Sequence, residues 1–368
     1  MIQLKEKLSQ YWQNIQQDLF PWLAENLGPL TEKQQQLVTV LEMARVEEFI
    51  QSYRGYVGRP QDDRTAIARA FVAKAVYNFT TTRQLLDRLK SDKVLRQICG
   101  WIKLNDIAEE WTFSRAFAEF SKSKLGERTH EALIKNYQSE RLVGHISRDS
   151  TAIEAREKAI KKESPLEPKP TVKRGRPKKG EERPPAEPTQ LERQLNMSLE
   201  EMRAELSKLC DVGTKRNSKG YQESWKGYKF HIDTADGGIP ISAILTAASV
   251  HDSRVAIPLA TLTAQRVVNL YDLMDAAYDA QVIRSHSESL GHISLIDFNK
   301  RRGGNTRSFL PHEAQRYKER STAERINSRM KDEFGAAKIY VRGHAKIMTH
   351  LMFGLIALTV DQLIRLIT

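Results

Sequence analysis

Apolar residues recur every three or four positions through much of the first 140 residues. Leu37, Val40, Leu41 and Ala44 share one helical face, and Ile67, Phe71, Val72, Ala75 and Val76 share another. Asp92 precedes Lys93 to Cys99 as an N-cap and Gly100 follows as a stop. Glu110 to Phe117 opens a further helix. From Leu142 the pattern changes to alternation. Leu142 to Asp149 reads as a strand that ends in a carboxylate, and Tyr228 to Asp233 as another. Asp236-Gly237-Gly238 is a turn that returns the chain along Ile239 to Val250, making a hairpin.

Downstream, a helix is predicted near 253–265, a strand over 267–275, a helix near 280–290 and a short strand over 292–299. Helices follow over 311–334 and from Gly343 onward. This order predicts an α/β layer with a mixed sheet, consistent with an RNase-H-like core behind an all-α N-terminal domain. The expected boundaries are a helical domain over 1–140 and a core over 141–368. A flexible basic insertion is expected over 156–215.

Composition sharpens that insertion. Seven of the chain's 13 prolines fall between Pro165 and Pro188, a stretch too poor in apolar surface to fold alone. Residues 156–183 hold eleven Lys/Arg against five Glu, about half of the net charge of +12 that the 368 residues carry. Such a basic excess favours a polyanionic partner, most often nucleic acid. The two cysteines, Cys99 and Cys210, are far apart and belong to no CxxC or Cys/His cluster, which argues against a disulfide scaffold and a zinc finger. The N-terminal residues lack the apolar run of a signal peptide. The longest apolar stretch, Ile347 to Val360, contains His350 and is too short for a span of roughly 20 residues. A cytoplasmic protein without a membrane segment is expected.

Carboxylates at strand ends can converge where side chains leave a sheet. Asp149 and Asp275 are such residues, and a third acid from a helix would complete an oxygen-ligand site for a hard cation such as Mg²⁺. Tyr317, Arg320, Glu324 and Lys331 lie at offsets of three, seven and fourteen. At 100° per residue they fall within roughly 60° of arc. Ala323, Ile326, Met330 and Phe334 form a second stripe suited to a core. On position alone, the charged stripe fits a solvated face equally well.

The spacing Tyr317-x2-Arg320-x3-Glu324-x6-Lys331 matches the Y-x2-R-x3-E-x6-K signature of a large group of DDE-type insertion-sequence transposases of bacteria. Asp275-Ala276-Ala277-Tyr278-Asp279 resembles their D-x-x-Y-D block around the second catalytic aspartate. Arg148-Asp149-Ser150-Thr151 resembles the first-strand block. Gly58-Arg59-Pro60 and Thr112 to Phe117 resemble the helical N-terminal domain of the same proteins. The resemblance implies an RNase-H-like fold and a metal-dependent phosphoryl transfer that cleaves and joins DNA at the ends of the protein's own insertion sequence. It implies that Asp149, Asp275 and Glu324 bind two Mg²⁺ ions, with Mn²⁺ as a substitute. Arg320 and Lys331 would hold phosphates, and Tyr317 would hydrogen-bond one. The partners implied are terminal-repeat and target DNA, bound by a homodimer on paired ends and associated with the nucleoid.

The gap of 49 residues between Asp275 and Glu324 leaves no room for the β insertion that supports a hairpin intermediate in some relatives. Asp233, Asp236 and Asp272 compete with Asp275 for the second position, Asp236 with a turn role as its alternative. His251-Asp252 can lie beside the site or cap the next helix. A DNA-binding relic and a purely hydrolytic nuclease remain competing functions.

Lys173-Arg174-Gly175-Arg176-Pro177-Lys178-Lys179 resembles an AT-hook, whose arginines reach along a narrow A·T minor groove. The short basic-started helices resemble a helix-turn-helix layout, with an ordinary bundle as the alternative. Gly213 to Gly220 reads as a second basic loop. Trp225 is placed either to stack an unpaired base or to pack at the start of a strand.

Overall fold

A computed structural model describes residues 2–51, 62–160, 187–216, 220–298 and 309–368. The first part of the chain is helical: α1 (Ile2–Asn14), α2 (Phe20–Leu27), α3 (Glu32–Ala44), α4 (Arg64–Val76), α5 (Thr82–Ser91), α6 (Lys93–Cys99), α7 (Glu110–Lys122) and α8 (Leu125–Gln138). Local chemistry sets these boundaries. Thr31 and Thr81 close capping boxes with Gln34 and Gln84. Asp92 accepts from Leu95 N at 2.9 Å to start α6, and Gly100 ends it at φ 115°.

The chain then enters β1 (Leu142–Glu154), passes α9 (Gln190–Gln194), α10 (Leu199–Glu205) and β2 (Asp211–Arg216), and forms the hairpin β3 (Gln222–Ala235) and β4 (Ile239–Ala247). The elements α11 (Ser253–Ala264), β5 (Val268–Met274), α12 (Gln281–Ser289) and β6 (Ile293–Ile296) follow. The remainder is α13 (Pro311–Tyr317), a short 3₁₀ turn over Lys318–Arg320, α14 (Ser321–Asp332) and α15 (His344–Arg365). Among the described residues the sheet is mixed. β1 is antiparallel to β3 and parallel to β5, β5 is parallel to β6, and β4 and β2 both pair with β3. This is the expected RNase-H-like arrangement.

Successive residues of β1 alternate between two covered faces. On one, Arg148 forms a two-pronged ion pair with Asp233 at 2.8 and 2.7 Å, and Thr263 of α11 donates to the same carboxylate at 2.7 Å. Asp272 lies on this face too, accepting from Asn269 at 3.1 Å and bonding His292 at 3.2 Å. The other face of β1 packs under α14.

The apolar stretch expected to be a buried helix forms the middle of α15. This helix is long and apolar enough to cross a membrane, but its apolar run is buried. It packs on α1, α3, α4, α7 and α8 and also on β4 and α14. One hydrophobic core therefore runs from Leu37 and Phe71 through Phe353 to Ile146 and Phe230. Phe71 and Phe353 stack at 6.0 Å between centroids. A Cβ on Gly126 of α8 would stand 2.7 Å from Met352 Cβ, so only glycine permits that approach. The expected boundary near 140 is a change of secondary structure within a shared core.

The flexible insertion expected over 156–215 requires correction at its C-terminal side. Residues 187–216 hold α9, α10 and β2. Leu199 and Leu206 pack with Val255 and Leu259 of α11. Gly213 lies in β2 rather than in a loop, because its bare backbone accepts the ring of Trp225; a Cβ there would meet that ring at 2.5 Å. Trp225 also donates to Tyr228 O at 2.9 Å, a packing role.

Candidate active site

The parallel pairing of β1 and β5 runs as far as Ser147 and Leu273. Two residues further on each strand come Asp149 and Asp275. Adjacent parallel strands thus deliver both carboxylates to one place, each feeling the same Arg320 cation. Asp275 is also the N-cap of a 3₁₀ turn over Ala276–Tyr278, accepting from Ala277 N at 2.9 Å. Tyr278 anchors that turn in the core, and Asp279 pairs with Arg284 at 2.9 Å.

The two stripes of α14 separate as their spacing predicts. Ala323, Ile326, Met330 and Phe334 are buried. Asn327 and Arg320 approach the carboxylates. Asn327 donates to Asp149 Oδ2 at 2.9 Å, and its Oδ1 is buried without a hydrogen-bond partner among the described residues. Arg320 binds Glu324 at 2.6 Å. Just before the helix, the Tyr317 hydroxyl donates to Met274 O at 3.2 Å, fixing the strand end that presents Asp275.

Burial dominates the electrostatics of both aspartates. Burial and the Asp275 charge push Asp149 up to about 6, against lowering by the Ser150 N–H, Arg320 and Asn327. Burial raises Asp275 as well, assisted by Asp252 and opposed by its bond to Ala277, by Arg320 and by His251. Tyr317 is pushed up to about 12, mainly by burial. An all-oxygen donor set of this kind suits a hard divalent cation, and such an ion would offset the burial that chiefly raises both aspartates.

Several expected members stand elsewhere. Glu324 is more than half exposed and turned to Arg320. Among the described residues no three acidic, His or Cys side chains are close enough to hold one ion. Lys331 lies two turns beyond Glu324, roughly 10 Å along the helix. There it is partly buried and feels Lys215 and Glu154. Lys173, Arg174, Arg176, Lys178, Lys179 and the Gly58-Arg59-Pro60 block lie outside the described residues. Asp233 and Asp272 are committed to the buried ionic face, and Asp236 at the hairpin turn pairs with Arg141.

One residue near the acids escaped the sequence reading, and for a second the structure decides between the two roles expected of it. Asn327 falls at the border between the polar and apolar stripes of the helix, a position the spacing made legible. Asp252 does not cap α11. Its carboxylate accepts from Ser150 Oγ at 2.9 Å and Lys229 Nζ at 3.0 Å; against burial, the neighbouring His231 and Lys229 together with these bonds hold it below the usual carboxylate range.

The family model described as Transposase DDE domain matches residues 149–360, beginning at Asp149 itself, and the one described as Transposase domain (DUF772) matches residues 24–119. The chain belongs to the DDE transposase family. No curated protein and no solved structure matches it. As a DDE transposase it is a polynucleotidyl transferase and endonuclease of DNA transposition, dependent on a divalent metal and acting on DNA. The raised aspartates and the mixed sheet that presents them accord with that membership.

Proposed function

We propose that Asp149, Asp275 and Glu324 are the catalytic acids of this transposase, that they hold two Mg²⁺ ions, and that Mn²⁺ can replace them. The observation that carries the reading is the delivery of Asp149 and Asp275 to one point by adjacent parallel strands, under the helix that carries Glu324. When bound, the ions would activate water or a 3′-hydroxyl and stabilise the leaving oxygen. The chain's own residues do the positioning. Asn327 orients Asp149. Tyr317 and the Ala277 amide fix the end of β5 and with it Asp275. Arg320 has two uses. It neutralises the acids and holds Glu324 before substrate arrives. Once Glu324 turns to the aspartates, the guanidinium is left for a DNA phosphate, which it is suited to bind in two-pronged fashion. Lys331, two turns along, meets the strand further from the cut.

The DNA is that of the element's own terminal repeats and its target, bound by a homodimer on paired ends in the cytoplasm and nucleoid. Lys173, Arg174, Arg176, Lys178 and Lys179 contribute minor-groove contacts. The helical region adds further contacts.

The test is cleavage of a plasmid that carries the gene's flanking DNA, by wild type and Glu324→Gln, in Mg²⁺ and in EDTA. Discrete cuts at the element boundary, absent with Glu324→Gln and in EDTA, are expected. Cuts retained by Glu324→Gln would remove the third acid. Equal DNA shifts by both proteins with no cuts in Mg²⁺ or Mn²⁺ would leave a DNA-binding relic.

A further inference from the structure

Among α15 and the helices that precede β1, a cavity of about 280 Å³ opens where α4, α5, α7 and α15 meet. Its polar lining is Lys74, Thr82, Ser114, Arg342, Lys346 and His350, with no carboxylate. Lys74 is the telling residue. It sits in the apolar run of α4, only 5% exposed, and no acid pairs with it among the described residues. An unpaired buried ammonium is expensive, and an apolar side chain would fill the same place at lower cost. Burial lowers Lys74 only to about 8, so it remains charged at neutral pH.

The neighbours add charge of the same sign. Arg342 and Lys346 are exposed at the rim and have no ion pair among the described residues. Helix α5 begins at Thr82, so its positive end faces the cavity. His350 adds none: burial and the Lys74 charge push it down to about 3, and its Nε2 is engaged with Gly335 O at 2.9 Å. The hydroxyls of Thr82 and Ser114 complete a set of donors.

We propose that this cavity is a phosphate site, in which Lys74, Arg342 and Lys346 take the oxygens of one phosphate group, from a DNA backbone or from free phosphate. Its volume is at the lower end of small-ligand pockets, roughly 300 Å³. The site is separate from the acid cluster, so a Glu324→Gln protein retains it even if the catalytic assignment fails.

The test uses the full chain and Lys74→Met, which keeps the side-chain length and removes the charge. Without ligand, the variant is expected to melt higher than wild type. Two probes then distinguish the sources of phosphate. Inorganic phosphate should raise the melting temperature of wild type and not of Lys74→Met. A labelled DNA duplex, titrated at several NaCl concentrations, should bind the variant more weakly. Its log–log salt slope should be shallower by about 0.9, the loss of one phosphate contact. A phosphate effect with unchanged duplex binding assigns the site to free phosphate. A duplex effect without the phosphate shift assigns it to DNA. If Lys74→Met melts lower and changes neither probe, Lys74 is structural and the proposal is overturned. Should that variant fail to fold, Arg342→Gln and Lys346→Gln alter only exposed rim side chains. Unchanged phosphate and duplex responses in both would overturn it equally.

Discussion

Asn327 donates to Asp149 across 178 residues of sequence, tying the middle of α14 to the carboxylate at the centre of β1. The bond orients the acid, and Asn327 adds no charge. Asn327→Leu keeps much of the volume and removes the donor. If Asp149 holds metal as proposed, cleavage is expected to fall 10- to 100-fold, the usual range for a residue that orients a metal ligand. Duplex affinity should be unchanged. A cleavage rate within about twofold of wild type would show that Asp149 needs no such support.

Arg320 lowers the proton affinity of both aspartates while it holds Glu324. It therefore competes with any cation for the same negative charge. Arg320→Ala should bind Mn²⁺ more tightly by roughly tenfold, about 1.4 kcal/mol, and yet cleave more slowly. Calorimetric titration of the DNA-free protein reads the first effect and plasmid cleavage the second. Weaker Mn²⁺ binding in Arg320→Ala would count against Arg320 as the competitor.

The pair Arg148–Asp233 is almost wholly buried, at 1% and 0% side-chain exposure. Arg148→Met strands a carboxylate in the core and should cost about 3–5 kcal/mol in urea unfolding. Replacing both partners, as Arg148→Met with Asp233→Leu, should recover most of that loss. No recovery would mean that the pair is needed for more than its own neutralisation.

Burial holds His130 and His350 down to about 3 and His231 to about 4. Each is neutral in the fold, whereas in the unfolded chain it takes a proton below about 6.5. Their contribution is thus fully present above pH 6.5 and is lost as the pH falls toward the folded values, about 1.4 kcal/mol per pH unit for each group. Asp149, raised to about 6, works in the opposite direction below that pH and offsets one of the three. Melting temperature should therefore drop between pH 7 and 5. His350→Gln, whose amide can still donate to Gly335 O, should flatten that drop by about one group's share. An unchanged slope would refute the assignment for His350.

The sequence made some elements plain because local chemistry decides them. Asp92 and Gly100 bound a helix. Asp236-Gly237-Gly238 turns a hairpin, and the two stripes of α14 part at the core. Other features depended on partners distant in sequence. β2 looked like a basic loop because Thr214, Lys215 and Arg216 are polar, and only the ring of Trp225 over Gly213 explains why a strand forms there. Asp252 stood where a helix cap belongs. Lys229 and Ser150, brought alongside by the sheet, draw its carboxylate away. Lys331 shared an angle with Glu324 but not a height along the axis.

Helix α15 closes the core of helices made about 200 to 300 residues before it. At the usual pace of synthesis, roughly 5–20 residues per second, the apolar faces of α3, α4, α7 and α8 wait on the order of 10–60 s for their central partner. During that interval the ribosome carries a half-built protein with sticky helices and no settled phosphate cavity. The nascent chain is then exposed to chaperones and proteases before it can handle DNA. A chain truncated before α15 leaves that core unclosed, so the stretch of message that encodes α15 limits how much folded transposase a cell acquires.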